Sequence, residues 1–228
     1  MPRLIAALLR HGDYRQLPDT PSALQPFPLT EEGRQQARRA ADALMKMALD
    51  MGCRIDSELH SSRLLRGWQT ASILGEALEG DFAIQDFDAL AERSLGSAAN
   101  LTVSQIETVV REDPRFEELP PDWKSSSHFC LPLQGAESLV EAGQRVAGHL
   151  VETMQQLAKR AQQDTLKVFV GHGAAMRHAA WQLGVLELSD VARLSMFHAQ
   201  PVCLEYAGTV WRHVAGDWKV RDAMAQPD

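Results

Sequence analysis

Residues 4–14 read LIAALLRHGDY, and the change of character at Arg10 decides how the chain folds. Leu4 to Leu9 are six consecutive apolar residues. A short apolar run stopped by a glycine reads as a buried strand, here Arg3 to Leu9. Strands buried on both faces lack polar alternation, which is the habit of parallel sheets. The C-terminal end of this strand delivers Arg10 and His11, with Gly12 straight after. In open parallel sheets, ligands bind outside the carboxyl ends of the strands. The same grammar recurs at residues 166–173, LKVFVGHG, as a strand over Leu166 to Val170 followed by Gly171, His172 and Gly173. Two histidines at equivalent strand ends, each beside a glycine that lets a ligand approach the backbone, point to one shared site.

Between and beyond these strands the chain alternates strand with helix. Four prolines (Pro18, Pro21, Pro26, Pro28) exclude helix from the segment before Thr30. Thr30 caps a helix with Glu31 and Glu32 near the positive end of its dipole. That helix runs to about Asp50, with Ala37, Ala41, Leu44, Met45 and Ala48 at helical spacing. Next come a strand over Arg54 to His60, a helix over Leu64 to Leu78 and a strand over Phe82 to Phe87. Residues 100–134 differ in texture, holding four prolines, the charged stretch REDPRFEE and the polar run KSSSH, with room for one short helix, Val103 to Arg111. Ser138 and Glu141 form an S-x-x-E capping box that opens a long helix to about Gln162. A helix over Ala174 to Leu183 and a strand over Val202 to Ala207 follow. Thr209 to Val214 and Trp218 to Arg221 are expected to form a terminal hairpin around Gly216 and Asp217. The pattern predicts an α/β fold, a three-layer helix–sheet–helix sandwich with a mostly parallel central sheet. One domain is expected over residues 1–228, with a variable insertion at about 97–134 over the site.

Composition narrows the partners. Of 228 residues, 45% are hydrophobic and 23% charged, ordinary for a soluble globular chain. The net charge of −7 argues against nucleic acid or an anionic membrane as partner. An anionic substrate must then be held by a few placed arginines. Cys53, Cys130 and Cys203 are far apart and odd in number, which offers neither a disulfide framework nor a metal site. The histidines show neither H-E-x-x-H nor H-x-H spacing, so no metal and no cofactor is expected. Leu4 to Leu9 is too short for the apolar region of a secretory signal, and no run approaches membrane-spanning length. A cytoplasmic location is the expectation.

Two further segments follow strands. HSSRLLRGWQTA (60–71) places Arg63 and Arg66 at a helix start, where an anion can sit; on local grounds alone it reads as a capped helix with solvated arginines. LAERSLG (90–96) places Glu92 beside Arg93. Two histidines, two or three arginines and one glutamate at one sheet edge suit phosphoryl transfer. Arginine forks match phosphate oxygens, histidine is a nucleophile near neutral pH, and a carboxyl group can protonate a leaving oxygen.

The ordered set of segments resembles the histidine phosphatase superfamily, with its phosphoglycerate-mutase-like fold. LLRHG looks like the family's R-H-G signature, FPLTEEGRQQA like its P-L-T-x-x-G-x-x-Q-A segment, and RGWQTA like R-A-x-Q-T-A. LAERSLG is similar to L-x-E-R-x-x-G, GAES to G-E-S, and VGHG to the segment carrying the second pocket histidine. The match spans residues 4 to 184. The resemblance implies Arg10 as phosphate ligand, His11 as phospho-acceptor, Arg66 rather than Arg63 as pocket arginine, Glu92 as proton donor and His172 as second pocket histidine. Gly173 and Arg93 join Arg10, Arg66 and His172 in substrate binding. It also implies a metal-independent phosphatase that hydrolyses a phosphomonoester, a phosphorylated small molecule or a phosphopeptide, through a phosphohistidine.

Departures from the family pattern sharpen that reading. Asp13 and Tyr14 replace the usual Glu-Thr or Glu-Ser, Arg63 stands where many members have proline, and Gly67 where they have alanine. The insertion lacks the paired arginines with which phosphoglycerate mutases hold a carboxylate; Arg93, Arg111, Arg115 and Lys124 are the available stand-ins. A phosphoglycerate-type mutase and a non-catalytic phospholigand-binding protein are therefore the alternatives, and a homodimer is left open. Arg177 and His178 read as residues on a helix face. Ser125 to His128 read either as a substrate contact or as a solvated loop. Trp68, Trp181, Trp211 and Trp218 read as packing residues, and Trp123 as packing or pocket mouth.

Overall fold

The computed structural model describes residues 2–221. The opening apolar run is strand β1 (Leu4–Arg10), and the second is β5 (Thr165–Gly171). They lie side by side in parallel, with Leu4 opposite Thr165 and Arg10 opposite Gly171. Because side chains alternate across a strand, β1 feeds two cores at once. Leu4, Ala6 and Leu8 face one side, packed with α4 (Leu139–Arg160) and α5 (Gly173–Gln182). Ile5, Ala7 and Leu9 face the other, packed with α1 (Glu31–Met51) and α2 (Leu65–Ala77). Helices therefore cover both faces, as the unalternating run predicts.

The remaining strands of the main sheet are β2 (Arg54–Ile55), β3 (Glu58–Ser62), β4 (Ala83–Phe87), β7 (Pro201–Ala207) and β8 (Val210–Ala215). Their order is β4-β3-β5-β1-β7-β8, with β2 also on β5. β4, β3, β5 and β1 run parallel, whereas β7 and β8 are antiparallel to their neighbours. The fold is the mostly parallel helix–sheet–helix sandwich expected. Both helix caps read from the sequence form. Thr30 Oγ1 accepts from Gly33 N at 3.0 Å, and Ser138 and Glu141 exchange side-chain and backbone bonds in a full capping box.

Two expectations need correction. The strand expected over Arg54 to His60 is broken at Asp56, whose carboxylate accepts from Glu58 N and pairs with the fully buried Lys167 Nζ at 3.2 Å. A buried ammonium needs such partners, and the break supplies them. The expected terminal hairpin does not form. Residues 210–215 pair instead with β7 across Gly208, at φ 73°, and this places Trp211 5.0 Å from the Tyr206 ring. Residues 219–220 form β9 (Lys219–Val220), antiparallel to β6 (Leu194–Ser195). Burying Trp211 on the sheet outweighs a local turn at Gly216.

Residues 97–134 carry a small core of their own. Ile106 and Val110 project from α3 (Val103–Glu112), and Ile106 packs with Trp123, Leu131, Leu95, Ala98 and Ala23. Trp123 is 2% exposed, so it is a packing residue and not a pocket mouth.

The start of α1 is fitted against the loop after β1. A Cβ on Gly33 would run into the Asp13 carbonyl oxygen, and one on Gly12 into the Gly33 carbonyl oxygen. Backbone cannot yield as a side-chain tip does. Gly33→Ala should therefore lose about 1–3 kcal/mol of stability and displace the loop behind His11. A urea titration checks this, and an unchanged midpoint would refute it.

Candidate active site

The parallel register of β1 and β5 builds the site. His11 N donates to Gly171 O at 2.9 Å, and the next residue on β5's side is His172. The two rings stand 5.0 Å apart, and both side chains are buried. His11 Nδ1 lies 2.7 Å from Gly12 O. A carbonyl can only accept, so Nδ1 carries the proton and Nε2 keeps its lone pair. Arg66 Nε donates to that Nε2 at 3.2 Å. Burial, then the nearby His172, Arg66 and Arg10, hold His11 well below the usual histidine range. Burial, then Arg66, Arg10 and Arg145, do the same for His172. Both are neutral at pH 7. His172 Nε2 is 2.9 Å from Ser62 Oγ, while its Nδ1 is buried without a hydrogen bond among the described residues.

The motif residues around the histidines are main-chain holders. Thr70 Oγ1 accepts from Gly12 N at 3.0 Å, Gln36 Oε1 from Asp13 N at 2.8 Å, and Gln69 Oε1 from Leu29 N at 2.9 Å. Asp13 Oδ2 accepts from the Thr30 hydroxyl at 2.7 Å. A Cβ on Gly67 would meet Ser62 Cβ at 2.9 Å, and one on Gly173 would meet Arg10 Cδ at 3.2 Å. Close approach calls for glycine at 67, whereas at 173 the Arg10 side chain would have to shift slightly.

Arg66 is wholly buried, and its terminal nitrogens donate to Gln25 O and Ala23 O, each at 2.8 Å. It fastens the proline-rich loop and turns only Nε to His11. Arg63 lies outside, paired with Asp86 and Asp88. Arg10 donates to Met196 O at 3.3 Å and shares with His11 and Glu92 a cavity of about 320 Å³. Glu92 Oε1 accepts from Arg93 N at 2.9 Å and from Ala175 N, in the first turn of α5, at 3.2 Å. Arg10, His11, Glu92, Arg93 and Gly173 line this one cavity, and His172 and Arg66 adjoin the His11 ring.

Other lining residues carry weaker sequence signals. Lys124, Ser125 and Ser127 of the insertion line the cavity, while His128 is exposed. Arg177 and His178 lie on a helix face as expected, the buried face of α5, and line the cavity too. The signal was available: α5 begins at Gly173, so residues 177 and 178 lie one turn above the motif glycine. Arg177 Nε donates to Gly173 O at 3.2 Å. His178 Nδ1 donates to Ala174 O at 2.8 Å, and its Nε2 accepts from the Ser127 hydroxyl at 3.1 Å.

A family model, "Histidine phosphatase superfamily (branch 1)", matches residues 6–218. The chain belongs to this family. The phosphatase reading of the sequence agrees with it. Among solved structures, "Mycobacterial hydrolase 2" is 23% identical, with 98% of this chain and 94% of that chain covered and a TM-score of 0.71. A mycobacterial glucosyl-3-phosphoglycerate phosphatase is 24% identical over 97% of this chain and 100% of that one, at 0.67. A phosphoglycerate mutase from Bacillus anthracis is 15% identical over 94% and 93%, at 0.70. At these identities the likeness is one of fold. Comparison with curated protein sequences gives no match.

Burial holds His178 down to about 4, as it lowers His11 and His172. An unfolded histidine titrates near 6.5, so between 6.5 and about 4 the unfolded chain binds more protons than this histidine does in the fold. Stability must rise with pH across that window and be lost as pH falls through it. Urea midpoints should be lower at pH 5 than at pH 7, with the slope reduced in His178→Gln. A flat wild-type profile would mean these groups charge freely in the fold.

Proposed function

We propose that this histidine phosphatase hydrolyses a phosphomonoester through a phosphohistidine on His11. The observation that carries the reading is the buried His11 ring. Its proton is fixed on Nδ1 by Gly12 O, and it lies among cationic side chains at a cavity that also holds Glu92. His11 Nε2 attacks phosphorus as the ester P–O bond breaks. Arg10 and His172 face the phosphoryl oxygens with charge and an N–H, where charge spreads in the transition state. His172 Nδ1, buried and unbonded among the described residues, is the group suited to an incoming oxygen. Glu92 gives its proton to the departing oxygen, then takes one from the water that attacks phosphohistidine. Its Oε1 is occupied by two main-chain N–H groups, and Oε2 takes no hydrogen bond among the described residues.

The substrate is a phosphorylated small molecule or phosphopeptide. Arg93 and Lys124 line the cavity, and their charged groups bond no described residue, which leaves them for the substrate's own polar groups. We place the reaction in the cytoplasm, a setting supported by three unpaired cysteines.

After brief reaction with labelled substrate, His11 should carry a phosphoryl group stable to base and labile to acid. His11→Ala should lose both label and turnover; full activity in that variant would end the proposal.

Hydrolysis is favoured over mutase chemistry. Arg111 and Arg115, two of the stand-ins for the missing arginine pair, do not line the cavity. Arg115 is paired with Asp113, and Arg111 bonds Thr108. With 3-phosphoglycerate and catalytic 2,3-bisphosphoglycerate, phosphate release should outrun formation of 2-phosphoglycerate. The opposite order would establish the mutase alternative.

A further inference from the structure

We infer that Arg145, outside every motif assigned to the chemistry, is the positioning residue that sets Glu92 for proton transfer. The inference rests on the phosphohistidine reading and deepens it. Residues 88–94 connect β4 to the insertion as one 3-10 turn and an extended stretch. With little ladder pairing of its own, this stretch must find other partners for its main-chain groups. One side chain supplies most of them. Arg145 Nη1 donates to Asp88 O at 3.2 Å, Ala89 O at 3.0 Å and Ala91 O at 3.1 Å, and Nη2 reaches Glu92 O at 3.5 Å. The same guanidinium is paired with Glu137, whose Oε1 accepts from Ser94 N at 3.0 Å. The pair thus grips five main-chain groups on both sides of Glu92.

The guanidinium itself is not part of the cavity wall. Its route to the chemistry runs through the Glu92 backbone. A general acid works only within hydrogen-bond reach of the oxygen it protonates, and a displacement of about 1 Å can lose on the order of 100-fold in rate. Arg145 is partly exposed, so water can replace its donors when it is removed. The fold should then survive while the acid loses its aim. Lysine at this position keeps the charge but cannot span several carbonyls as a planar fork does.

The test compares wild type, R145M, R145K, E137Q and E92Q on a series of phosphate monoesters from p-nitrophenyl to alkyl leaving groups, with a urea titration of each variant. A nitrophenolate leaves without help, whereas an alkoxide needs the proton. In single-turnover phosphorylation of His11, R145M should lose about 100-fold in rate with alkyl phosphates and little with p-nitrophenyl phosphate, with half-saturation little changed. Its leaving-group dependence should steepen toward that of E92Q, with R145K and E137Q between it and wild type. Equal losses along the series would mean a structural role only, and R145K matching wild type would assign the effect to charge; either overturns the inference. Should R145M fail to fold, R145K and E137Q decide the matter by the same slope. Failure of the phosphohistidine reading is separate, because it would show in the wild type as an unlabelled His11.

Discussion

The hydrogen bond from His11 N to Gly171 O closes the ladder between β1 and β5, and the site exists only while that register holds. Side chains alternate along a strand, so a slip of one residue would send every side chain of β1 to the opposite layer. Leu4, Ala6 and Leu8 would then face α1 and α2 instead of α4 and α5. Both faces are buried, so no slipped register is tolerable, and the two strand ends stay level. Catalytic geometry here is a by-product of core packing. The two histidines are neighbours because the six apolar residues Leu4 to Leu9 lie level with the six residues Thr165 to Val170 on the next strand.

The second organising device is the use of arginine against main-chain oxygen. Arg66 holds carbonyls of residues 22, 23 and 25, Arg145 those of residues 88, 89, 91 and 92, and Arg177 those of Gly173, Val191 and Leu194. Each guanidinium holds a segment beside the same cavity, and each serves several carbonyl acceptors at once. The arrangement also has an electrostatic result. Carbonyl dipoles satisfy Arg66 without cancelling its charge. That charge helps hold His11 and His172 neutral.

What could be read from the chain follows from the range of the forces involved. The strands 4–10 and 165–171, the caps at Thr30 and Ser138 and the histidines at strand ends depend on neighbours a few residues away, and all were legible. Pairings that depend on distant partners were not. Nothing near Asp56 announces that Lys167, 111 residues on, will need its carboxylate inside the sheet. Trp211 chooses Tyr206 over a local turn for the same reason, and the expected hairpin is lost. Arg145 sits on an ordinary amphipathic helix, and its partners other than Glu137 are carbonyls, which have no letter in a sequence.

The insertion shows why substrate choice is the least legible property of the site. Its cluster of Ile106, Trp123 and Leu131 touches the rest of the protein through Ala23, Leu95 and Ala98, residues of the same loops that Arg66 and the Glu92 segment stabilise. A helix with its own capping box and a separate core can change in shape without disturbing the β1–β5 register. The polar groups it sends to the cavity, Lys124, Ser125 and Ser127, stand on turns after Pro120 rather than on a strand end. Only Ser127 is tied across, to His178. On the proposed function, chemistry is built on the β1–β5 ladder and recognition falls to a satellite core. The two can vary independently, and periodicity in the chain reports only the first.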